Sequence, residues 1–301
     1  MNKNVVFVAQ RGTIIETIFR SCGMPTLNPY IYMNSVGIKF RKIIEHKKLK
    51  MEEAFYNEEI VHLKPSTVFV ISALISLEFL RWLRESLPTA RIILLYSNIV
   101  RDEKMLFPLD IPDSICEKWS WDAGDCAKYN MNYYTSVYAK GIIPDSSVHQ
   151  YDIVFIGCDK GRRDRLLELK KNFEKQGLSC NFCVSGDNSL QTILHPRRYA
   201  KHISYIEYLS EISKAKSLLE IAQSEQTGMT MRVLEAAFSH KKLITTNKSC
   251  KELPFYDDKN IFVLGDDDLN RISDFINSEY DVSADDKTMY YEFHTWIERF
   301  M

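Results

Sequence analysis

The chain has 301 residues, 45% of them hydrophobic and 26% charged, with a formal net charge of −1. These values suit an ordinary globular protein and exclude a disordered or fibrous one. Length leaves room for one large domain or two of about 150 residues each, and neither needs disulfides or a structural metal to bury a core. Near-neutral charge argues against a dedicated nucleic-acid binder, which would carry a strongly basic domain. Seven scattered cysteines, an odd number, with no leader-like run ahead of Val5, fit a reducing cytoplasm. The longest apolar stretch, Val68–Leu80, is broken by Ser72, Ser76 and Glu78 and falls short of the roughly 18–20 apolar residues a membrane span needs.

In chain order, apolar runs predict strands at Val5–Ala9, Thr67–Ile71 and Arg91–Tyr96, with helical periodicity at Ile38–Lys48 and Leu74–Ser86 between them. The pattern stops in the Gly, Pro and Ser cluster of Lys140–Ser147 and restarts with a strand at Tyr151–Gly157. There follow a helix at Arg162–Gln176 ending on Gly177, a strand at Ser179–Ser185, a helix at Tyr205–Ala215 and a strand at Ser217–Ile221. A helix at Thr230–Ser239 and a strand at Lys242–Thr246 complete the series. Strands alternating with helices predict parallel α/β sheets. The expected division is an amino-terminal Rossmann-like domain over 1–148, a second over 149–286, and a carboxy-terminal helix over 287–301 that packs across the domains. That last segment carries Tyr290, Tyr291, Phe293, Trp296, Ile297 and Phe300, too many large apolar groups for a free tail.

Two strand-to-helix turns carry the candidate chemistry. The first, Gly157-Cys158-Asp159-Lys160-Gly161-Arg162-Arg163, sets cations at a helix N-terminus, where the helix dipole disfavours them. A bound phosphate would remove that conflict, with Gly157 and Gly161 shaping the loop and Lys160, Arg162 and Arg163 converging on the anion. The competing reading is a solvated turn whose cations pair with Asp159 and Asp164. The turn is neither a P-loop nor a G-x-G-x-x-G.

The second turn lies in Ser217-Leu218-Leu219-Glu220-Ile221-Ala222-Gln223-Ser224-Glu225-Gln226-Thr227-Gly228-Met229-Thr230-Met231-Arg232-Val233-Leu234-Glu235-Ala236-Ala237-Phe238, followed by the strand that ends at Thr245-Thr246-Asn247. Here the chain resembles the carboxy-terminal domain of nucleotide-sugar glycosyltransferases of the GT-B fold, over Tyr151 to Leu264. It is similar to the small bacterial enzymes that build capsule, exopolysaccharide or lipopolysaccharide chains. The resemblance implies two Rossmann-like domains facing a cleft, and transfer of a sugar from a nucleotide-diphosphate donor to a glycan or lipid-linked acceptor. It further implies no cofactor and no obligatory metal. By the same resemblance Glu235 hydrogen-bonds the donor ribose, and Gln226, Thr227, Gly228, Met229 and Thr230 form the loop whose amides face the diphosphate. The chemistry agrees: a carboxylate one turn into a helix accepts two hydroxyl hydrogen bonds while the helix N-terminus holds the neighbouring phosphate. Arg232 reads as a second phosphate contact or as a surface arginine covering the loop, and Glu235 alternatively as a solvent-facing helix residue.

Many retaining members carry two glutamates separated by seven residues, and here Thr227 stands eight before Glu235, so the anomeric outcome is not implied. Ser185 ends a strand at the sheet edge where open α/β folds bind ligands. Tyr205 lies where such sites border the base, and reads either as a stacking partner or as a core tyrosine. Cys180 and Cys183 have C-x-x-C spacing without a second pair, which gives no metal or redox site. In the first domain Arg11, after the first strand, is a candidate phosphate contact. Asp122 and Asp125 are candidates for acceptor binding or a general base, or else for turn and cap roles. Residues 1–50 hold nine Lys or Arg against two acids, a net +7, concentrated in Lys39–Lys50 among apolar residues. This run reads as a helix resting on an anionic membrane or as an ordinary amphipathic surface. Rival functions on the same fold are polyol-phosphate transfer, nucleotide-sugar epimerisation, and nucleotide or glycan binding without catalysis.

Overall fold

A computed structural model describes residues 4–31, 37, 50–73, 75–100, 106–146, 148–187, 189–222 and 229–301. The expected Ile38–Lys48 helix, with the membrane-facing reading of its cations, and Gln226, Thr227 and Gly228 lie outside these residues. The chain divides into two compact units, 1–135 and 136–301.

In the first unit, strands β1 (Val5–Val8), β2 (Thr26–Leu27), β3 (Thr67–Ile71), β4 (Arg91–Tyr96), β5 (Glu117–Ser120) and β6 (Asn132–Tyr133) form one sheet in the order β2-β1-β3-β4-β5-β6. All pairs are parallel. Every residue of β1 and β3 is buried, which is why these strands read as unbroken apolar runs and not as alternating ones. Val68, Val70 and Leu94 meet Phe79, Leu80 and Leu83 of the Leu77–Ser86 helix, whose N-terminus Ser76 caps.

The second unit holds β7 (Tyr151–Cys158), β8 (Cys180–Ser185), β9 (Ala215–Glu220), β10 (Lys242–Thr245) and β11 (Ile261–Val263), also all parallel, in the order β11-β10-β9-β7-β8. Its core joins Ile153, Phe155, Leu219, Ile244 and Phe262 to Leu166 and Phe173 of the Arg163–Lys175 helix. From β7 the chain crosses to β8 on one side and then to β9 on the other. The carboxyl ends of β7 and β9 therefore flank a topological switch point, where open α/β sheets bind ligands.

Two boundaries differ from expectation. Segment 136–148 belongs to the second unit, because Tyr138 hydrogen-bonds through its amide to Tyr291 O and through its carbonyl to Phe293 N. Nor does 287–301 form one helix. The Asp285–Thr288 helix and a turn at Met289–Tyr291 are separated from the Phe293–Glu298 helix by Glu292, whose extended backbone lets its carboxylate accept from His294 N and start a new helix. Tyr291, Phe293, Trp296 and Phe300 are buried in this unit as their apolarity requires. No described helix is long and apolar enough to cross a membrane.

Candidate functional site

The pairing of β7 with β9 reaches Val154 and Leu218 in register. Beyond it, two arginines span the gap between the strand ends. Arg232 donates from Nη2 to Ile156 O (2.6 Å) and from Nη1 to Leu219 O (2.9 Å). One step further out, Arg162 donates from Nη2 to Cys158 O (2.9 Å) and from Nη1 to Ile221 O (2.5 Å). Each guanidinium thus clamps one carbonyl from each strand, and both lie over the Phe155 ring, at 5.3 and 5.2 Å. Burial, and then the neighbouring Arg232 charge, hold the Arg162 pKa below the usual arginine value. Of the two readings given to Arg232 from sequence, the surface arginine covering the loop does not describe its position, since its guanidinium faces the sheet. The planar five-donor fork suits this bridging as an ammonium would not.

Glu235, 2% exposed, lies directly beside this pair. Its Oε1 accepts from Tyr205 OH (3.0 Å) and its Oε2 from Tyr208 OH, which also accepts from Arg232 Nε (3.4 Å). It is not solvent-facing. Burial raises the Glu235 pKa, against the opposing pull of Arg232 and of the two tyrosine hydroxyls. A carboxylate offers about four acceptor positions, so two donors leave capacity for more. Tyr205 is a buried tyrosine with one ring face stacked on Tyr208 and its hydroxyl 3.3 Å from Tyr138 OH.

The helix that carries Glu235 runs over Met231–Phe238, and among the described residues its N-terminus has no side-chain cap from Thr230, the N-cap residue. Thr230 occupies the cap position but gives its hydroxyl to Glu220, a buried carboxylate that also accepts from Thr245 Oγ1 (2.5 Å). The first-turn amides of a helix lack intrahelical acceptors, and here the usual local acceptor is engaged elsewhere. Met229 O accepts from Ser136 Oγ at 3.4 Å. After β10, Asn247 is 8% exposed, and its Nδ2 is buried with no hydrogen-bond partner among the described residues. Sequence reasoning singled out no role for Asn247; its one signal is an amide side chain directly after an apolar strand.

The turn after β7 is built differently. Asp159 is buried; its Oδ1 accepts from Arg163 N (2.8 Å) and its Oδ2 from Tyr199 OH (2.9 Å). The anion at this helix N-terminus is therefore the chain's own carboxylate. Lys160 (φ 47°) and Gly161 (φ 78°) both take left-handed backbone to make the turn. Lys160 is exposed, and its amide donates to Asp187 Oδ2 (3.1 Å). Arg163 lies 5.9 Å from the centre of the Tyr199 ring and 3.9 Å from Asp164. Gly157 has room for a Cβ at ordinary contact distance from Phe155 and Arg162. Ser185 is buried and donates to Cys158 Sγ at 3.6 Å. Arg162 thus turns to the strand carbonyls while Arg163 lies by Tyr199 and Asp164. Cys180 and Cys183 sit three apart on β8, on opposite faces, and the described residues contain no metal-holding cluster of His, Cys, Asp or Glu.

In the first unit, Asp122 caps the Ala123–Tyr129 helix by accepting from Asp125 N (2.9 Å). Buried Asp125 accepts from Val100 N (2.8 Å), and burial raises its pKa. Asp122 thus carries the cap role weighed for it, whereas the Asp125 carboxylate holds a backbone amide 25 residues away. Arg11 is exposed, its amide donating to Asn28 Oδ1 (2.9 Å), while Thr13 caps the Ile14–Ser21 helix. A cavity of about 390 Å³ lies at the other end of the second sheet, where Lys216, Lys241 and Lys242 line it with His149 and His240. The Lys241 ammonium donates to Ser213 O and Ala215 O, and burial lowers its pKa to about 8.

No protein-family profile and no curated sequence matches the chain. Among solved structures it is similar to sucrose-phosphate synthase from Thermosynechococcus elongatus, at 8% identity and a TM-score of 0.52, over 98% of this chain and 96% of that one. Fainter likenesses are to MurG from Acinetobacter baumannii (11% identity, TM-score 0.33, covering 80% and 77%) and to a GtfA/B complex bound to UDP and GlcNAc (10% identity, TM-score 0.29, covering 86% and 57%). At these identities the likeness is one of fold. The first extends nearly end to end over both chains and agrees with the two parallel-sheet, Rossmann-like units described above.

Proposed function

We propose that the protein is a glycosyltransferase that moves a sugar from a nucleotide-diphosphate donor to a glycan or lipid-linked acceptor. The observation that carries this reading is the pairing of a buried carboxylate, Glu235, with a helix N-terminus whose N-cap residue, Thr230, makes no side-chain cap bond, at the switch point of the second sheet. In the proposed complex Glu235 accepts from the donor ribose hydroxyls, and the amides of the first turn after Thr230 meet the diphosphate. Gln226, Thr227, Gly228 and Met229 complete the loop around it, and Lys160 and Arg163 add charge from the edge. Arg162 and Arg232 position the strands beneath.

In the reaction the bond from the anomeric carbon to the diphosphate oxygen breaks and an acceptor oxygen takes its place. Hydrogen bonds and positive charge fixed before reaction lower the barrier by stabilising the departing diphosphate, so no metal is needed in this scheme. The proton of the acceptor hydroxyl passes to a base. Surface-polysaccharide synthesis at the inner face of a plasma membrane, with Lys39–Lys50 as one lipid contact, is the proposed setting, supported by the sequence resemblance alone.

The test is thermal unfolding against a panel of nucleoside diphosphates, since a ligand selective for the native state raises Tm by mass action. One of them is expected to raise Tm, with the rise abolished in Glu235→Ala. No rise with any nucleotide sinks the donor assignment, and binding without turnover on a broad acceptor set favours a non-catalytic binding partner.

A further inference from the structure

The loop from β8 to the Tyr205–Ser213 helix leaves the sheet and returns to it at one place. On the way out, Gly186 packs so closely on Thr192 that a Cβ at 186 would collide with its methyl group. On the way back, Ala200 N donates to Val184 O (2.8 Å), and His202 Nε2 lies 3.0 Å from Gly186 O. With both roots pinned on residues 184–186, the stretch between them projects as a compact Ω-like loop.

Its tip is exposed without interruption from Ile193 to Arg198, with Ile193 at 65% and Leu194 at 68%. Ile203 and Ile206 on the return limb are exposed as well. Single exposed apolar side chains need no explanation, but four within positions 193–206 do. Arg197, Arg198 and Lys201 stand among them, and no Asp or Glu occurs between Asp187 and Glu207, in a chain of net charge −1.

We propose that this loop docks the second unit on an anionic lipid bilayer. Ile193 and Leu194 enter the boundary between headgroups and acyl chains, and Arg197, Arg198 and Lys201 meet the lipid phosphates. Apolar side chains at a tip with cations beside them and no compensating acid match that interface in both its components. The loop is also tied to the candidate site at its return root: Tyr199 just before it bonds Asp159, and Tyr205 just after it bonds Glu235. The inference rests on exposure and charge and stands apart from the proposed reaction.

The experiment is co-sedimentation of the full chain with phosphatidylcholine vesicles, with and without phosphatidylglycerol, at low and high salt. The wild type is expected to bind only when phosphatidylglycerol is present, and less at high salt. Arg197→Gln with Arg198→Gln should weaken partition about thirtyfold, at roughly one surface cation's contribution each. Ile193→Ser with Leu194→Ser should weaken it about tenfold or more. All four side chains are exposed, so Tm and nucleotide affinity should not change in either variant. Absence of wild-type binding overturns the proposal, as does binding by both variants equal to wild type. Retention of the wild type on polyglutamate but not on vesicles assigns the loop to an acidic protein and overturns it too. Loss of nucleotide affinity with intact partition would make the loop part of the donor site instead. Failure of the glycosyl-transfer reading shows only in the nucleotide titration, and leaves vesicle binding untouched.

Discussion

The two strand-to-helix turns at the switch point of the second sheet solve the same problem in opposite ways. After β7, where the sequence is densest in cations, Asp159 supplies a carboxylate to Arg163 N and the helix start is closed. After β9 the sequence offers one nearby cation, Arg232, and Thr230 at the N-cap makes no side-chain cap bond, its hydroxyl being given to Glu220. An anion site is thus marked less by the number of cations near a helix than by whether the chain's own acceptors have already filled it. Two of the arginines that the sequence offers, Arg162 and Arg232, donate to strand carbonyls.

The strongest way to break this comparison is Arg232→Met. It leaves two strand carbonyls without donors and Glu235 without its buried counter-charge, so a loss of about 3–5 kcal/mol is expected in urea unfolding. A loss below about 1 kcal/mol would mean that Arg232 faces solvent after all. Next in size, Glu235→Ala should weaken binding of the preferred nucleoside diphosphate by about 2–3 kcal/mol in titration calorimetry, the range for hydrogen bonds to a charged group. Equal binding by wild type and variant would remove the ribose assignment.

A matched pair sharpens the contrast between the turns. Asp159→Ala should cost about 1 kcal/mol of stability, as loss of a helix cap does, while nucleotide affinity stays unchanged. Thr230→Val should cost a similar amount through Glu220, but here nucleotide affinity should fall, because the open helix start shifts. If Asp159→Ala lowers the affinity and Thr230→Val does not, the donor diphosphate belongs to the other turn.

The smallest effect is one of pH. Burial raises the Glu235 pKa above its ordinary value of 4.5, so the native state holds this proton more tightly than the unfolded chain. The stability linked to Glu235 is greatest below that value and declines as pH rises through the window above it. Subtracting the stability profile of Glu235→Gln from that of the wild type should isolate this slope, and a rise with pH in the difference would contradict it. Lys241 acts in a separate window. With its pKa lowered from 10.5 to about 8, it penalises the fold below pH 8 and releases that penalty as pH climbs toward 10.5.

Most of the sheet was legible in the sequence. β1, β3, β4, β7, β9 and β10 are buried on both faces along most of their length, so their apolar runs needed no tertiary information. β2 and β6 were missed because two residues carry no periodicity. β5, Glu-Lys-Trp-Ser, was missed because its polar residues are accommodated by partners outside the strand: Lys118 donates to Pro108 O and Ile111 O, and Glu117 accepts from Arg91 of β4. The domain boundary moved for a related reason, since what fixes Tyr138 comes from the far end of the chain.

At the site, the sequence by itself determined that two strand-to-helix turns carry the polar chemistry and that Glu235 sits one turn into the second helix. Local pattern decides such things, because strand runs, turns and helical spacing are short-range properties. Only the tertiary structure decided where the charges point. β7 and β9 are neighbours at their amino ends yet separate at their carboxyl ends, and Arg162 and Arg232 donate to the strand carbonyls left there. That adjacency joins residues more than 60 positions apart, and a buried carbonyl left without a donor costs too much for either arginine to turn away.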